Sequence, residues 1–593
     1  MLKMIPAVRV ICFTILLSAS SFRAEAEDFT NAIHAYLQQR VEVEKRDVGI
    51  VVGIVDEHGS SIISYGKMDN GTDQEVNGDT LFEIGSITKT FTALLLQDMV
   101  ERGEMKLDDP VAEYLPKSVK MPTRNGKEIT LLQLATHTSG LPTSSITWSP
   151  KRADNPRADY TIEKMYDVVS GYKLIRDPGT KYEYSTVGMA LLGQAVALKA
   201  GTNYESLVVD RICRPLTMDS TRITLTPEMK DRFATGHNSF GYAVSSSYWG
   251  ALMAGAALRS TANDMLKYVS ANLGLTPSGL TPLMEKTHVA RSHEDAIDMD
   301  VGLAWDIRRE LDGTEIISEG GVTSGFITFA CFDMRRRRGA VVLSNSQDFG
   351  VPAIGRLLLE SEWQSDRRPK ETIVSSQVCD SCVGQYQRSH VVGAPSQPGI
   401  GICREGHRLF AQVTGSKSWP VDVLLPPGDV ELLPESETHF FERLSGMPMT
   451  FSRDAQGKAT GLTVHYQGKA ISYDKTSDEP PKAPEPAKPR VALKLDTKLL
   501  DAVVGHYEFA PDAAHPTGIK LTIWREGDRL VGQAWSESVV KGAFDIYPES
   551  ETNFFIKIDG AQLTFIKNDE GQVTAVIRHE AGLPDIEGKK LRN

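Results

Sequence analysis

The sequence has few cysteines, no long apolar run and no excess of basic charge, and each absence closes off a class of function. Six cysteines in 593 residues are too sparse for a disulfide-built fold. Cys379 and Cys382 make a single C-x-x-C, with no second such pair and no paired histidines, so the pair is read as a local disulfide or two free thiols and no metal is expected. A net charge of -12 argues against nucleic acid or an anionic membrane as partner. The apolar run from Val10 to Leu17 is well short of the roughly 20 residues that span a bilayer. No glycine loop has phosphate-cradling context, and no cofactor is expected.

That short run instead suits a secretory leader over 1–26, with Lys3 and Arg9 before it and Ala24-Glu25-Ala26 as the cleavage site. Export follows, to the periplasm or outside the cell, and Cys12 would leave with the leader. The length calls for more than one domain, and 41% hydrophobic with 24% charged residues is ordinary for a globular protein. Helical and strand patterns alternate over 27–365. Beyond, two segments of about 100 residues share one template. Val383-Gly384-Gln385-Tyr386 matches Val504-Gly505-His506-Tyr507, and Pro434-Glu435-Ser436-Glu437-Thr438 recurs as Pro548-Glu549-Ser550-Glu551-Thr552. Their alternating runs read as antiparallel strands, and closure into small barrels would remove exposed edges. We place the barrels at 376–475 and 496–593, joined by a proline-rich spacer over 476–495 that favours polyproline II.

Chemistry enters at Ser86-Ile87-Thr88-Lys89. The S-x-x-K spacing sets hydroxyl and amine on one helical face. The pattern recurs at Ser64, Ser170, Ser472 and Ser538, but only Ser86 has a glycine before it and an apolar helical stripe after it, through Phe91, Leu94, Leu95 and Met99. A helix start also disfavours the charged form of Lys89, which would leave an amine able to act as base. A second element, Pro178-Gly179 through Tyr184-Ser185-Thr186, turns straight into the small-residue run Ala190-Leu191-Leu192-Gly193. A third is Glu319-Gly320-Gly321-Val322-Thr323-Ser324-Gly325-Phe326.

Together these resemble the penicillin-recognising serine hydrolases: class C β-lactamases, DD-peptidases and D-aminopeptidases. The resemblance extends over LLQLATHTSGLP at 131–142, where His137 is read as structural. It implies an α/β catalytic domain with an antiparallel sheet flanked by helices, followed by two lipocalin-like antiparallel barrels. It implies Ser86 as nucleophile, with Lys89 and Tyr184 as proton-transfer partners, the tyrosine as a phenolate-type base stabilised by the lysine. The Ser86 and Val322 amides would form the oxyanion hole, and Thr186, Glu319, Gly321 and Thr323 would contact substrate. Two positions depart from the family pattern. Thr186 stands for asparagine, and Glu319 stands where histidine or lysine belongs. A charged Glu319 would repel a substrate carboxylate and favour a free ammonium, pointing to D-aminopeptidase chemistry. The expected function is acyl-enzyme hydrolysis of amide or ester bonds by a peptidase or amidase of D-aminopeptidase or DD-peptidase type. The alternatives are a class C-like β-lactamase or carboxylesterase, or a degenerate penicillin-binding sensor. Small peptides, amides, esters or β-lactams are the expected partners, with peptidoglycan contact through Arg335 to Arg338 as the sharper reading of a solvated hairpin tip.

Overall fold

The stretch GIVVGIVD at Gly49–Asp56 is apolar on both faces, as a central strand must be. It pairs antiparallel with Gly59–Gly66 on one side and Arg338–Ser344 on the other, so sequence-distant ends of the domain meet in mid-sheet. Eight strands follow in the order Gly59–Gly66, Gly49–Asp56, Arg338–Ser344, Ile327–Asp333, Glu315–Val322, Asp306–Arg309, Met299–Val301, Ser292–Glu294. This computed structural model describes residues 30–143, 151–152, 155, 157, 159–295, 298–309, 314–360, 372–388, 399–414, 430–442, 447–466, 469–481, 490–511, 518–535, 542–579 and 585–591. The expected leader and the prolines of the spacer from 484 to 489 lie outside the described residues.

One face of the sheet is covered by a large core that includes helices Thr88–Glu101, Thr186–Ala200 and Ala262–Asn272. Gly53 lets the last of these approach, since a Cβ there would lie 2.8 Å from Leu266 Cδ1. The other face carries helix Val351–Glu360, and its apolar core runs on without a break into the first barrel. Pairing of Glu315–Val322 with Asp306–Arg309 stops at Ser318 opposite Asp306. From Glu319 to Val322 that edge of the strand is therefore left open, beside the helical layer.

The sequence repeat is a repeat of geometry. Eight strands close into a barrel from Gly384–Arg388 to Lys469–Ser477, and eight more from Gly505–Phe509 to Ile586–Lys590. Tyr386 Oη donates to the Cys382 carbonyl, and Tyr507 Oη to that of Val503, each at 2.7 Å. Lys475 and Lys590 donate to the Ser381 and Ala502 carbonyls, each at 3.0 Å. Eight strands leave room for little beyond side chains. Phe440, Phe451 and Leu462 fill the first barrel, and Phe554, Leu563 and Phe565 the second. Cys379 and Cys382 are free thiols, as are the other three described cysteines. Arg335, Arg336 and Arg337 lie in the turn between Ile327–Asp333 and Arg338–Ser344, with Arg336 paired to Asp333 at 2.9 Å.

The second barrel docks on the catalytic domain at two places. Tyr242 stacks on Phe555 with centroids 5.7 Å apart, and Asn238 Nδ2 donates to the Lys557 carbonyl at 2.7 Å. Farther round, the Ala543 amide donates to the Lys151 carbonyl at 3.1 Å and Arg152 pairs with Asp545 at 3.3 Å.

Candidate active site

Ser86 stands where a strand turns into a helix. Phe82–Glu83 pairs with Arg259–Ser260, a 3-10 turn runs over Gly85–Ile87, and helix Thr88–Glu101 follows. Gly85 has φ +51, and a Cβ on it would lie 2.7 Å from the Val322 nitrogen. Only a glycine allows both the left-handed backbone and that approach. It brings Ser86 against the end of strand Glu315–Val322. One turn on, Lys89 is fully buried. Its Nζ donates to Ser86 Oγ at 2.8 Å and to the Gly255 carbonyl at 2.7 Å. Tyr184 Oη donates to Ser86 Oγ at 2.7 Å, and the ammonium position of Lys89 lies 4.8 Å from the Tyr184 ring centre. The other serines of the S-x-x-K pattern have no such company. Ser64 lies in strand Gly59–Gly66, Ser170 Oγ accepts from the Lys120 amide, Ser472 lies in a barrel strand, and Ser538 is outside the described residues.

Tyr184 is held by its neighbours in sequence and by His137. Ser185 caps helix Thr186–Ala200, its Oγ accepting from the Gly188 amide and donating to the Pro142 carbonyl at 2.7 Å. The His137 Nδ1 accepts from the Ser185 amide at 3.2 Å, its carbonyl accepts from Glu183 at 2.7 Å, and its ring lies 4.5 Å from that of Tyr184. Burial pushes His137 down to about 3, so it is neutral and serves as an acceptor. Thr186 opens the helix with its amide on the Thr143 carbonyl, and its methyl comes within 2.9 Å of where a Gly255 Cβ would lie. It thus flanks the carbonyl that holds Lys89.

Electrostatics assigns the two proton carriers different states. Burial, helped by the positive charge of Arg157, lowers Lys89 to about 7 against an opposing pull from Glu319. Burial and the nearby Glu319 raise Tyr184 well above an ordinary phenol. Burial and the nearby Glu319 thus work against the phenolate that the family resemblance implies. At neutral pH the neutral amine of Lys89 is accessible, whereas Tyr184 is held as a phenol.

Glu319 is under a similar pressure. It is 6% exposed, and burial with repulsion from Asp306 outweighs the pull of Lys89, holding its carboxyl well above the usual range. Burial thus disfavours the charged form that would repel carboxylates and attract an ammonium. Gly321 presses on the nucleophile's turn, since a Cβ there would lie 2.0 Å from the Ile84 carbonyl oxygen and 2.3 Å from Thr328 Oγ1. Val322 turns its side chain outward, 43% exposed, and leaves its amide beside Gly85. Thr323 is buried in the following turn, its amide donating to the Phe326 carbonyl at 3.0 Å.

Sequence reasoning missed two groups that bear on Lys89. The Gly255 carbonyl is a main-chain group and has no side-chain signature. Arg157 is a lone arginine in an unremarkable loop. His137 was read as structural, and the segment it holds is the one that carries Tyr184.

Comparison with known proteins bears on the domain that carries these residues. The Beta-lactamase family matches residues 33–361, ending before the first barrel. The D-alanyl-D-alanine-carboxypeptidase/endopeptidase AmpH of Escherichia coli K12 is 29% identical over 308 residues, covering 50% of this chain and 78% of that protein. A beta-lactamase of the same organism is 29% identical over 387 residues, covering 60% of this chain and 97% of that protein. The crystal structure of a beta-lactamase/D-alanine carboxypeptidase from Yersinia pestis superposes with a TM-score of 0.50 at 25% identity, covering 57% of this chain and 99% of that one.

Proposed function

The chain belongs to the beta-lactamase family of serine hydrolases, and from that premise we propose that it is an exported peptidase or amidase of DD-peptidase type, working through an acyl-enzyme on Ser86. The observation that carries this reading is the pair of hydrogen bonds on one oxygen: Ser86 Oγ lies 2.8 Å from the Lys89 amine and 2.7 Å from the Tyr184 hydroxyl. Lys89 in its neutral form takes the proton as Ser86 attacks the carbonyl. Tyr184 passes a proton to the leaving amine while the lysine nitrogen replaces it, so neither group ends the step with an uncompensated charge. The amides of Ser86 and Val322 face the developing oxyanion. One such donor is worth about 10² to 10³ in rate, because fixed dipoles in a dry site need no reorganisation. Water then repeats the sequence in reverse and frees Ser86.

The division into a catalytic domain over 27–365 and barrels at 376–475 and 496–593, joined by a spacer over 476–495, belongs to the same proposal. So does export directed by 1–26. Two relatives are named for D-alanyl peptide or D-alanine carboxypeptidase activity and one is named simply a beta-lactamase. The two activities separate on a panel of D-alanyl-D-alanine peptides, D-alanine amides, simple esters and β-lactams, assayed with the wild type and Ser86→Ala. The expected result is multiple turnover of D-alanyl amide bonds, with β-lactams acylating and releasing slowly, and no activity in Ser86→Ala. Rapid β-lactam turnover with inert peptides would replace the peptidase reading by a β-lactamase one.

A further inference from the structure

Strand Glu315–Val322 carries no cation where the family resemblance leads one to expect histidine or lysine, yet a cation lies close to Lys89. Arg157 is half-buried, its guanidinium carbon 4.2 Å from the centre of the Trp249 ring. Trp249 is 6% exposed and begins the Trp249–Gly255 stretch whose last carbonyl holds Lys89. Main-chain contacts fix the arginine against that stretch: the Arg157 carbonyl accepts from the Tyr160 amide at 3.1 Å, and the Tyr160 carbonyl accepts from Ala251 at 2.8 Å. Gly250 permits this closeness, since a Cβ there would lie 2.3 Å from the Tyr160 carbonyl oxygen and 2.9 Å from that of Arg157.

The side chain itself is uncommitted. It makes no hydrogen bond or ion pair with any described residue, and burial is the sole influence on its ionisation. Its charge adds to the lowering of Lys89, which is held by the far end of the Trp249–Gly255 stretch on which the arginine stacks. A buried guanidinium without a carboxylate is an expensive arrangement unless a ligand supplies one, and its planar fork is made for a carboxylate. Glu319, the only carboxyl group that bears on Lys89 in the described structure, has its charged form disfavoured by burial and makes no ion pair with Arg157.

Resting on the serine-hydrolase reading above, we propose that Arg157 is the substrate-binding residue for a terminal carboxylate, supplied from the 151–160 segment in place of the cation missing at Glu319. The substrate class that follows is a peptide whose cleaved residue carries a free α-carboxylate, rather than one selected by its free amine. The second barrel bears on this residue too. The Lys151 and Arg152 contacts with Ala543 and Asp545 tether the start of the segment that leads to Arg157.

The test compares an N-acylated D-alanyl-D-alanine with its C-terminal amide in the wild type, Arg157→Gln and Arg157→Lys, and follows labelling of Ser86 by an uncharged fluorophosphonate in all three. Expected is a wild-type preference for the free carboxylate. Arg157→Gln should reduce kcat/KM for that form by about 10- to 100-fold, chiefly through KM, as loss of a charge-assisted hydrogen bond predicts. Cleavage of the amide and the labelling rate should fall equally and by much less than the carboxylate reaction, since both lose only the push that Arg157 gives Lys89 toward its neutral form, and Arg157→Lys should keep part of the preference. Normal labelling with a carboxylate preference that survives Arg157→Gln overturns the assignment, as does a wild type that cleaves both forms equally. Failure of the wild type to be labelled or to cleave either form overturns instead the hydrolase reading beneath it. If Arg157→Gln does not fold, Arg157→Lys decides: a preference that is reduced in a normally labelled Arg157→Lys supports recognition by the bidentate guanidinium, and a preference equal to or greater than the wild type's contradicts it.

Discussion

Lys89→Met is expected to reduce kcat/KM by about 10⁴-fold or more on the best substrate, with little change in thermal stability. The amine is the only group touching Ser86 Oγ whose ionisation falls near neutral pH, and without it the serine hydroxyl must lose its proton unaided. Methionine fills the same buried space and removes a polar group whose burial is unfavourable apart from its two hydrogen bonds, so the fold should tolerate it. The same assignment fixes a pH profile. Lys89 has its folded-state value lowered to about 7, and only the deprotonated amine accepts a proton. Wild-type kcat/KM should therefore rise with pH through about 7 and level off above it. A profile falling over that range, or a loss of tenfold or less in Lys89→Met, would move the base role elsewhere.

Gly321→Ala is expected to be nearly as damaging, by a different route. The added Cβ would lie 2.0 Å from the Ile84 carbonyl oxygen, a backbone atom with no rotamer to change. Strand and turn must separate, and the amide of Val322 moves away from Ser86. Loss of one oxyanion donor predicts a fall of about 10² to 10³ in kcat, and misalignment of Ser86 adds to it. Gly320→Ala is the control, because its Cβ would meet nothing nearer than Phe329 Cδ2 at 3.7 Å. Steady-state kinetics of the two variants checks the pair; equal effects would mean that general weakening of the strand, rather than the approach to Ile84, is responsible.

What could be read from the sequence was what is local or repeated. Ser86 and Lys89 meet because they are one helical turn apart, and Tyr184 could be placed because a turn, a cap and a helix follow one another without interruption. The two barrels were visible because the chain uses one template twice, down to the tyrosine that closes each barrel on its own short helix. Ionisation was not visible in the same way. Whether Glu319 is charged depends on what covers it, and its 6% exposure comes from residues far away in the chain. The same burial sets the ionisation of Tyr184 and Lys89. Docking of the second barrel was hidden for a similar reason: Tyr242 and Phe555 are unexceptional aromatics until the fold stacks them.

The account stands on one covalent bond, and peptide mapping of the labelled protein tests it most directly. Intact protein is treated with a fluorophosphonate and with a slowly released penicillin, digested, and each adduct located by tandem mass spectrometry. Both adducts are predicted to lie on Ser86 and to disappear in Ser86→Ala. A stoichiometric adduct on Ser64, Ser170, Ser472 or any other serine, or labelling that persists in Ser86→Ala, would contradict it.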